Sequence, residues 1–334
     1  MYSPYKLLDW IDIDKLNWEE LSKNPNAIHL LEQYQDKICW KHLSRNPNAL
    51  FLLEQNQNKI DWNELSRNPY ALSILEKNKD KIIWHKFCEG DRIKSIAGAH
   101  AISFLEGNFD KIDWCSLSLN PNAIHLLEQN QDKINWWNLS LNTNAIHLLE
   151  QNPDCIDWNY LCENNCPRAV RLIEKNLDKL DIADWAYNIS RNPYAVHLIE
   201  PNLDKITQNS GWGGRWGWCH ISINPNAISL LEKYPDKIEW DMLSQNPNAI
   251  HLLEQNKEKI SWCNLSGNPS IFKIDYQQLY KRIEPFEEEL MQKCFHPDRV
   301  NYYLEKYEYD IFEEEYLDVL NEVYEKLYFS HRSH

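Results

Sequence analysis

The chain has 334 residues, 50 acidic against 35 basic side chains, a formal charge of −15 and 43% hydrophobic residues. The acidity argues against binding nucleic acid or anionic membranes, both of which draw on Lys and Arg for affinity, and the hydrophobic share is too high for a disordered chain. Tryptophan, with 15 copies against 8 glycines, is over-used, and its distribution along the chain calls for a reason.

Residues 1–17 carry Asp9, Asp12 and Asp14 where a signal peptide needs basic and then apolar residues. No apolar run approaches the roughly 18 residues that span a bilayer. A soluble protein with a short N-terminal cap is therefore expected. The nine cysteines are an odd number without C-x-x-C pairs, a pattern that fits reduced thiols better than a disulfide framework.

From Trp18 the chain repeats. Leu-Leu-Glu-type triplets end at Glu32, Glu54, Glu76, Glu106, Glu128, Glu150, Glu174, Glu200, Glu232 and Glu254, with a basic spacing of 22 residues. Trp18, Trp40, Trp62, Trp84, Trp114, Trp136, Trp158, Trp185, Trp218, Trp240 and Trp262 independently mark one position in the same register. About ten repeats are thus expected over residues 18–271, an arrangement that grows by stacking modules.

One unit runs from Trp40 to Asp61. Asn46 is placed to cap a helix and Pro47 fits its first turn, since proline lacks the N–H that would go unpaired there. Ala49, Leu50, Leu52 and Leu53 then form one apolar helical face of a helix about nine residues long. A second short helix starts at the next Trp, with Trp62 and Leu65 three residues apart. Helices this short are marginal alone, so each unit must bury its face on its neighbours. The expected fold is all-α, an α-solenoid of two-helix repeats. A leucine-rich-repeat-like solenoid is the alternative, because L-S-x-N occurs in both patterns, although the alternation of a strand is missing before the Asn. The eleven repeat tryptophans are expected to form a buried spine, each contributing up to roughly 4–6 kcal/mol if about 150–250 Å² is buried. Each triplet Glu, such as Glu32, is expected to pair with a neighbouring Lys or to satisfy backbone donors.

The regular spacing breaks in two main places. Eight extra residues fall within 87–100, read as a loop. Ten more fall within 207–219, whose sequence TQNSGWGGRWGWC holds four glycines and three tryptophans. With an Arg between aromatics, Trp212, Arg215 and Trp216 are the candidate partner-binding residues, because Trp and Arg dominate the energetics of interfaces; the alternative is that the extra rings cover a widened core gap. The repeated histidines, among them His125, His147 and His197, sit about one helix spacing apart, too far to share a metal. Cys162 and Cys166 replace residues of the consensus rather than forming a complete ligand set. No catalytic, cofactor or metal site is expected.

From about Phe272 the repeat stops. Residues 272–334 hold 15 acidic against 8 basic residues and keep apolar residues at helical spacing, which predicts an acidic helical C-terminal cap. His296-Pro297-Asp298 matches the tripeptide of J-domain co-chaperones, but the acidic stretch before it is unlike the basic helix those domains carry.

The unit N-P-N-A-I-x-L-L-E-x-N-x-D-K-I-x-W-x-x-L-S, covering about Trp18 to Phe272, resembles a large family of short-repeat proteins of giant double-stranded DNA viruses, mimivirus-like in type. The segment around Phe295-His296-Pro297-Asp298-Arg299 is similar to the terminal motif of those proteins. The resemblance implies action in the host cytoplasm or the virion and carries no catalytic residues. The resulting expectation is a non-enzymatic protein–protein interaction scaffold. Its alternatives are a structural virion component and an adaptor that recruits host chaperone or ubiquitin machinery through the C-terminal segment.

Overall fold

The computed structural model describes residues 5–90, 96–181, 184–207 and 215–286. The chain divides into one unit over Met1–Ile274 and a second over Asp275–His334. The boundary lies three residues beyond the one expected from sequence, because Phe272–Ile274 is a strand of the first unit.

The fold is all-α, built from repeated short helices. In the second repeat, a helix over Trp40–Arg45 is followed by the Asn-Pro turn, a helix over Leu50–Gln55 and a 3-10 turn over Gln57–Lys59, before the next helix opens at Trp62. The expected cap is present: Asn46 Oδ1 accepts from the Asn48 amide at 3.0 Å. The expected nine-residue helix, however, resolves into a turn and a six-residue helix, and the 3-10 turn was not anticipated. At the end of the Leu helix, Asn56 folds back so that its Nδ2 donates to the Leu52 carbonyl. Among the described residues the only strands are Tyr5–Leu7 (β1) and Phe272–Ile274 (β2). The L-S-x-N segments are helical, which overturns the leucine-rich-repeat alternative.

The innermost layer is leucine and alanine, not tryptophan. Leu21, Ala27 and Leu31 are fully buried, as are Leu43 and Leu53 one repeat on. Of the repeat tryptophans only Trp185 and Trp218 are buried, and the other nine are half-buried at the edge of this layer. The sequence-based spine is corrected accordingly. Instead of deep burial, many rings have a lysine ammonium over them, supplied by the D-K-I segment that precedes the next Trp. Lys37 covers Trp18 at 4.7 Å, Lys59 covers Trp40 at 4.5 Å and Lys81 covers Trp62 at 4.5 Å. The lysine stems bury part of the ring while the charge stays near water.

Polar ladders join neighbouring repeats. Ser22 Oγ donates to the Trp18 carbonyl at 2.7 Å and accepts from the Cys39 amide at 3.0 Å. Asn46 Nδ2 donates to the carbonyls of Ser22 and Asn24 at 3.1 and 3.0 Å, and Asn48 Nδ2 donates to that of Pro25 at 2.9 Å. The same pattern recurs from Asn68, Asn142, Asn246 and Asn268 to the repeat before each. These buried amides satisfy backbone groups that such short helices leave unpaired. Cys88 and Cys162 occupy the serine position; burial pushes the Cys88 thiol up to about 11, and Cys162 also upward.

The ladder does not stop at the last repeat. Asn24 Nδ2 donates to the carbonyls of Ser266 and Asn268 at 3.2 and 3.0 Å, Asn26 Nδ2 to that of Pro269 at 3.1 Å, and the Asn17 amide to Ser266 Oγ at 2.8 Å. Lys15 lies 5.0 Å over Trp262. β1 pairs antiparallel with β2, Tyr5 opposite Ile274 and Leu7 opposite Phe272, and the Leu8 amide donates to the Ile271 carbonyl. The first unit is thus a closed cycle of eleven repeats. The eleventh is composite: Trp262–Ser266 and its Asn-Pro turn come from the C-terminal side, while Asp14-Lys15-Leu16-Asn17 supplies the segment that elsewhere reads D-K-I-x. The N-terminal segment completes a repeat in place of capping one.

The irregular spacings are absorbed locally. In the first insert, Gly90 takes the place of the ladder Asn with φ +57°, and the following Leu-type helix lengthens to Ile96–Glu106. Trp185 and Ser190 are five apart where other repeats have four; a π-helix over Asp184–Ile189 takes up the extra residue, so Ser190 Oγ still reaches the Trp185 carbonyl at 2.7 Å. In the second insert, Gly217 packs against the preceding helix Leu203–Thr207 so tightly that a Cβ there would lie 2.5 Å from Ile206 Cγ2. Two extra residues after Asn164 displace the amide its Oδ1 should accept from, which leaves that buried oxygen without a partner.

In the second unit, the described residues form a helix over Tyr276–Ile283, capped by Asp275, whose Oδ1 accepts from the Gln278 amide at 3.1 Å. The rest of the expected acidic cap, with His296-Pro297-Asp298, lies outside the described residues. No helix among the described residues is long and apolar enough to cross a membrane.

Candidate docking site on repeats eight to ten

The helix over Arg215–Ile223 starts three residues before its repeat Trp, which carries Arg215 and Trp216 out onto the surface. Trp216 is 42% exposed. Its ring lies 6.0 Å from Tyr187 of the preceding repeat, and Tyr187 in turn meets the His220 ring edge-on at 5.3 Å. Arg215 forks onto Glu239 of the following repeat, Nε to Oε1 at 3.0 Å and Nη2 to Oε2 at 2.9 Å. A shallow cavity of about 260 Å³ opens beside them, lined by Arg215, Trp216, Cys219, Glu239, Asp241 and Met242.

Burial lowers the His220 imidazole below its usual range and keeps it neutral near neutral pH. The aromatic group is therefore uncharged, and the Arg215–Glu239 pair at its side is held in a fixed bidentate geometry. A rigid aromatic pair beside a methionine and a preorganised ion pair is chemistry suited to anchoring a protein side chain.

Of the three residues singled out by sequence, the structure brings Arg215 and Trp216 together, and Trp212 lies outside the described residues. Tyr187, Glu239 and Met242 were missed. Tyr187 comes from the preceding repeat and Glu239 and Met242 from the following one, so the group exists only where three repeats stack. The exposed Trp137, at 65% exposure, stands apart from this group in sequence register, directly after its repeat Trp.

A second surface feature was not singled out from the sequence, although the register aligns its residues. Lys23, Arg45 and Arg67 occupy one position spaced by 22 residues and line, with Lys41 and His42, a basic cavity of about 540 Å³. Arg67 pairs with Glu89 at 3.1 Å and Lys23 with Glu20 at 2.6 Å. His125, His147, His197 and His251 pair with the triplet glutamate one repeat earlier, His125 with Glu106 at 2.8 Å and His147 with Glu128 at 2.7 Å. The expected lysine partner is found at Glu200, which pairs with Lys233; in most repeats the D-K-I lysine lies instead over a tryptophan ring. These exposed pairs contribute about 0–1 kcal/mol each.

No protein-family model, curated protein or solved structure matches the chain.

Proposed function

We propose that the protein is a non-enzymatic protein-interaction scaffold whose docking anchor is the Tyr187–Trp216 pair beside the Arg215–Glu239 fork. The observation that carries this reading is that the insertion before the ninth repeat Trp sets Trp216 at the surface against Tyr187 of the preceding repeat, whereas most of the repeat tryptophans are half-buried and several lie under a lysine. Exposed aromatics held by their neighbours lose little entropy on binding, which is why such residues anchor interfaces. The resemblance of the repeat to proteins of giant double-stranded DNA viruses supplies the setting, an infected cell. There a scaffold would hold viral or host proteins together.

The test is affinity capture with quantitative mass spectrometry from infected cells, comparing the wild-type chain with Trp216→Ala and with Trp137→Ala. Proteins enriched by the wild type and lost at least fivefold with Trp216→Ala, but retained with Trp137→Ala, support the assignment. Equal recovery by both variants removes the patch from the interface. Capture of no specific protein by any of the three counts against the scaffold itself.

A further inference from the structure

We infer that Glu19, Cys39 and His42 form a binding site for a zinc-like divalent transition-metal ion at the junction of the first two repeats. The ligand atoms of the three side chains all lie within 4.8 Å of one another. His42 Nδ1 is 3.4 Å from Cys39 Sγ and 3.4 Å from Glu19 Oε1. Ligands bound tetrahedrally at about 2.0–2.3 Å stand roughly 3.3–3.6 Å from one another along the edges of the tetrahedron. Both separations fall in that range before any metal is added.

The repeat explains why the three groups meet here. In the ordinary junction, the residue before the repeat Trp is a capping Asp or Asn whose oxygen accepts from the amide three residues on, as Asp61 does from Glu64 and Asn135 from Asn138. That third residue also lies against the residue after the preceding repeat's Trp: Asn138 Nδ2 donates to the Cys115 carbonyl, and Asn264 Nδ2 to that of Asp241. A regular junction therefore brings residues together from three fixed positions. At Glu19, Cys39 and His42, all three are metal-ligating types. Cys39 makes no side-chain cap hydrogen bond; the contact its sulfur does make is to His42 Nδ1, another member of the set.

The chemistry of the set selects the ion. A thiolate, an imidazole and a carboxylate suit zinc and its neighbours in the first transition row, whereas calcium and magnesium require oxygen ligands. Glu19 and the Cys39 thiolate together balance a dication. On binding, the S–H bond breaks, its proton passes to solvent and sulfur keeps the electron pair as the metal–sulfur bond forms. With three protein ligands, the fourth position is left for water. The signal in sequence was Cys39-x-x-His42; its third member, Glu19, lies a repeat away and is not visible by spacing alone.

The test uses the full-length reduced protein titrated with Co²⁺, an absorbing stand-in for Zn²⁺, followed by Zn²⁺ competition. The expected result is a saturable near-ultraviolet sulfur-to-cobalt charge-transfer band at one ion per chain, with visible bands of tetrahedral intensity that Zn²⁺ abolishes. Cys39→Asp and His42→Asn place at these positions residues that other junctions already carry. Each should eliminate the band or weaken binding at least tenfold, while Cys263→Ser, at an exposed cysteine, leaves it unchanged. The absence of a thiolate band in the wild type overturns the site, as does an unchanged titration in either substituted protein. Circular dichroism identifies any variant that fails to fold; should one do so, the other decides.

Discussion

Two junctions of the first unit can be set side by side: the one between the first and second repeats, continuous in the chain, and the one between the eleventh and the first, which no peptide bond spans directly. Their hydrogen bonds correspond one for one. Asn46 reaches the Ser22 and Asn24 carbonyls, and Asn24 reaches those of Ser266 and Asn268. Ser22 accepts from the Cys39 amide, and Ser266 from that of Asn17. The seam adds the β1–β2 pair, the hydrogen bond from the Leu8 amide to the Ile271 carbonyl and the Asp9–Lys273 ion pair. Stacking geometry, not chain continuity, therefore defines a repeat, and a solenoid that closes on itself has no terminal apolar face left to cap.

The comparison can be broken most severely by removing residues 1–16. That deletion takes away β1 and the Asp14–Leu16 half of the composite repeat, leaving two complementary ends. The expected outcome is a larger fall in melting temperature than any single substitution gives, together with head-to-tail association, since an interface that cannot close within one chain propagates between chains. Light scattering coupled to size exclusion reads the association. A truncated chain that stays monomeric with an unchanged melting temperature would mean that the seam contributes nothing.

Less drastic is a matched pair, Asn24→Ala and Asn46→Ala. Each removes an amide that bridges two buried carbonyls and accepts one backbone N–H, at a cost of about 2–4 kcal/mol. Equal losses in urea unfolding are expected if the seam is a full junction. A loss below about 1 kcal/mol for Asn24→Ala alone would show the seam to be the weaker contact.

The smallest effect sharpens the account of the tryptophans. Trp114 has Lys133 over it at 4.7 Å, while the following unit has Cys155 at the corresponding position, next to Trp136. Cys155→Lys should stabilise the protein by about 0.5–1 kcal/mol, visible as a raised midpoint of chemical unfolding. A neutral or destabilising result would assign the lysines to solvation of the surface and not to the rings.

Much of the fold was legible in the sequence because a repeat states its local chemistry many times over. The Asn-Pro pairs marked the helix starts, and Leu52 and Leu53 marked the buried face. The depth of the tryptophans was not legible: an apolar residue repeated in register looks the same whether it fills the centre of a core or its rim. The candidate docking site was half legible. Trp216 and Arg215 stood out in a glycine-rich insert, whereas Tyr187 and Met242 became their neighbours only through the stacking of three repeats. The Asn role was likewise half visible, since a cap is local while the second use of the same amide, across the junction, is not.

The sequence by itself determined the repeat, its register, its helical class and the places where it is interrupted, because these follow from spacing and from short-range backbone chemistry. Only the tertiary structure decided that the first unit closes, that Asp14 to Asn17 completes the repeat opened by Trp262, and which side chains meet at each junction. Closure depends on how small rotations between neighbouring repeats add up, and no single repeat encodes that sum.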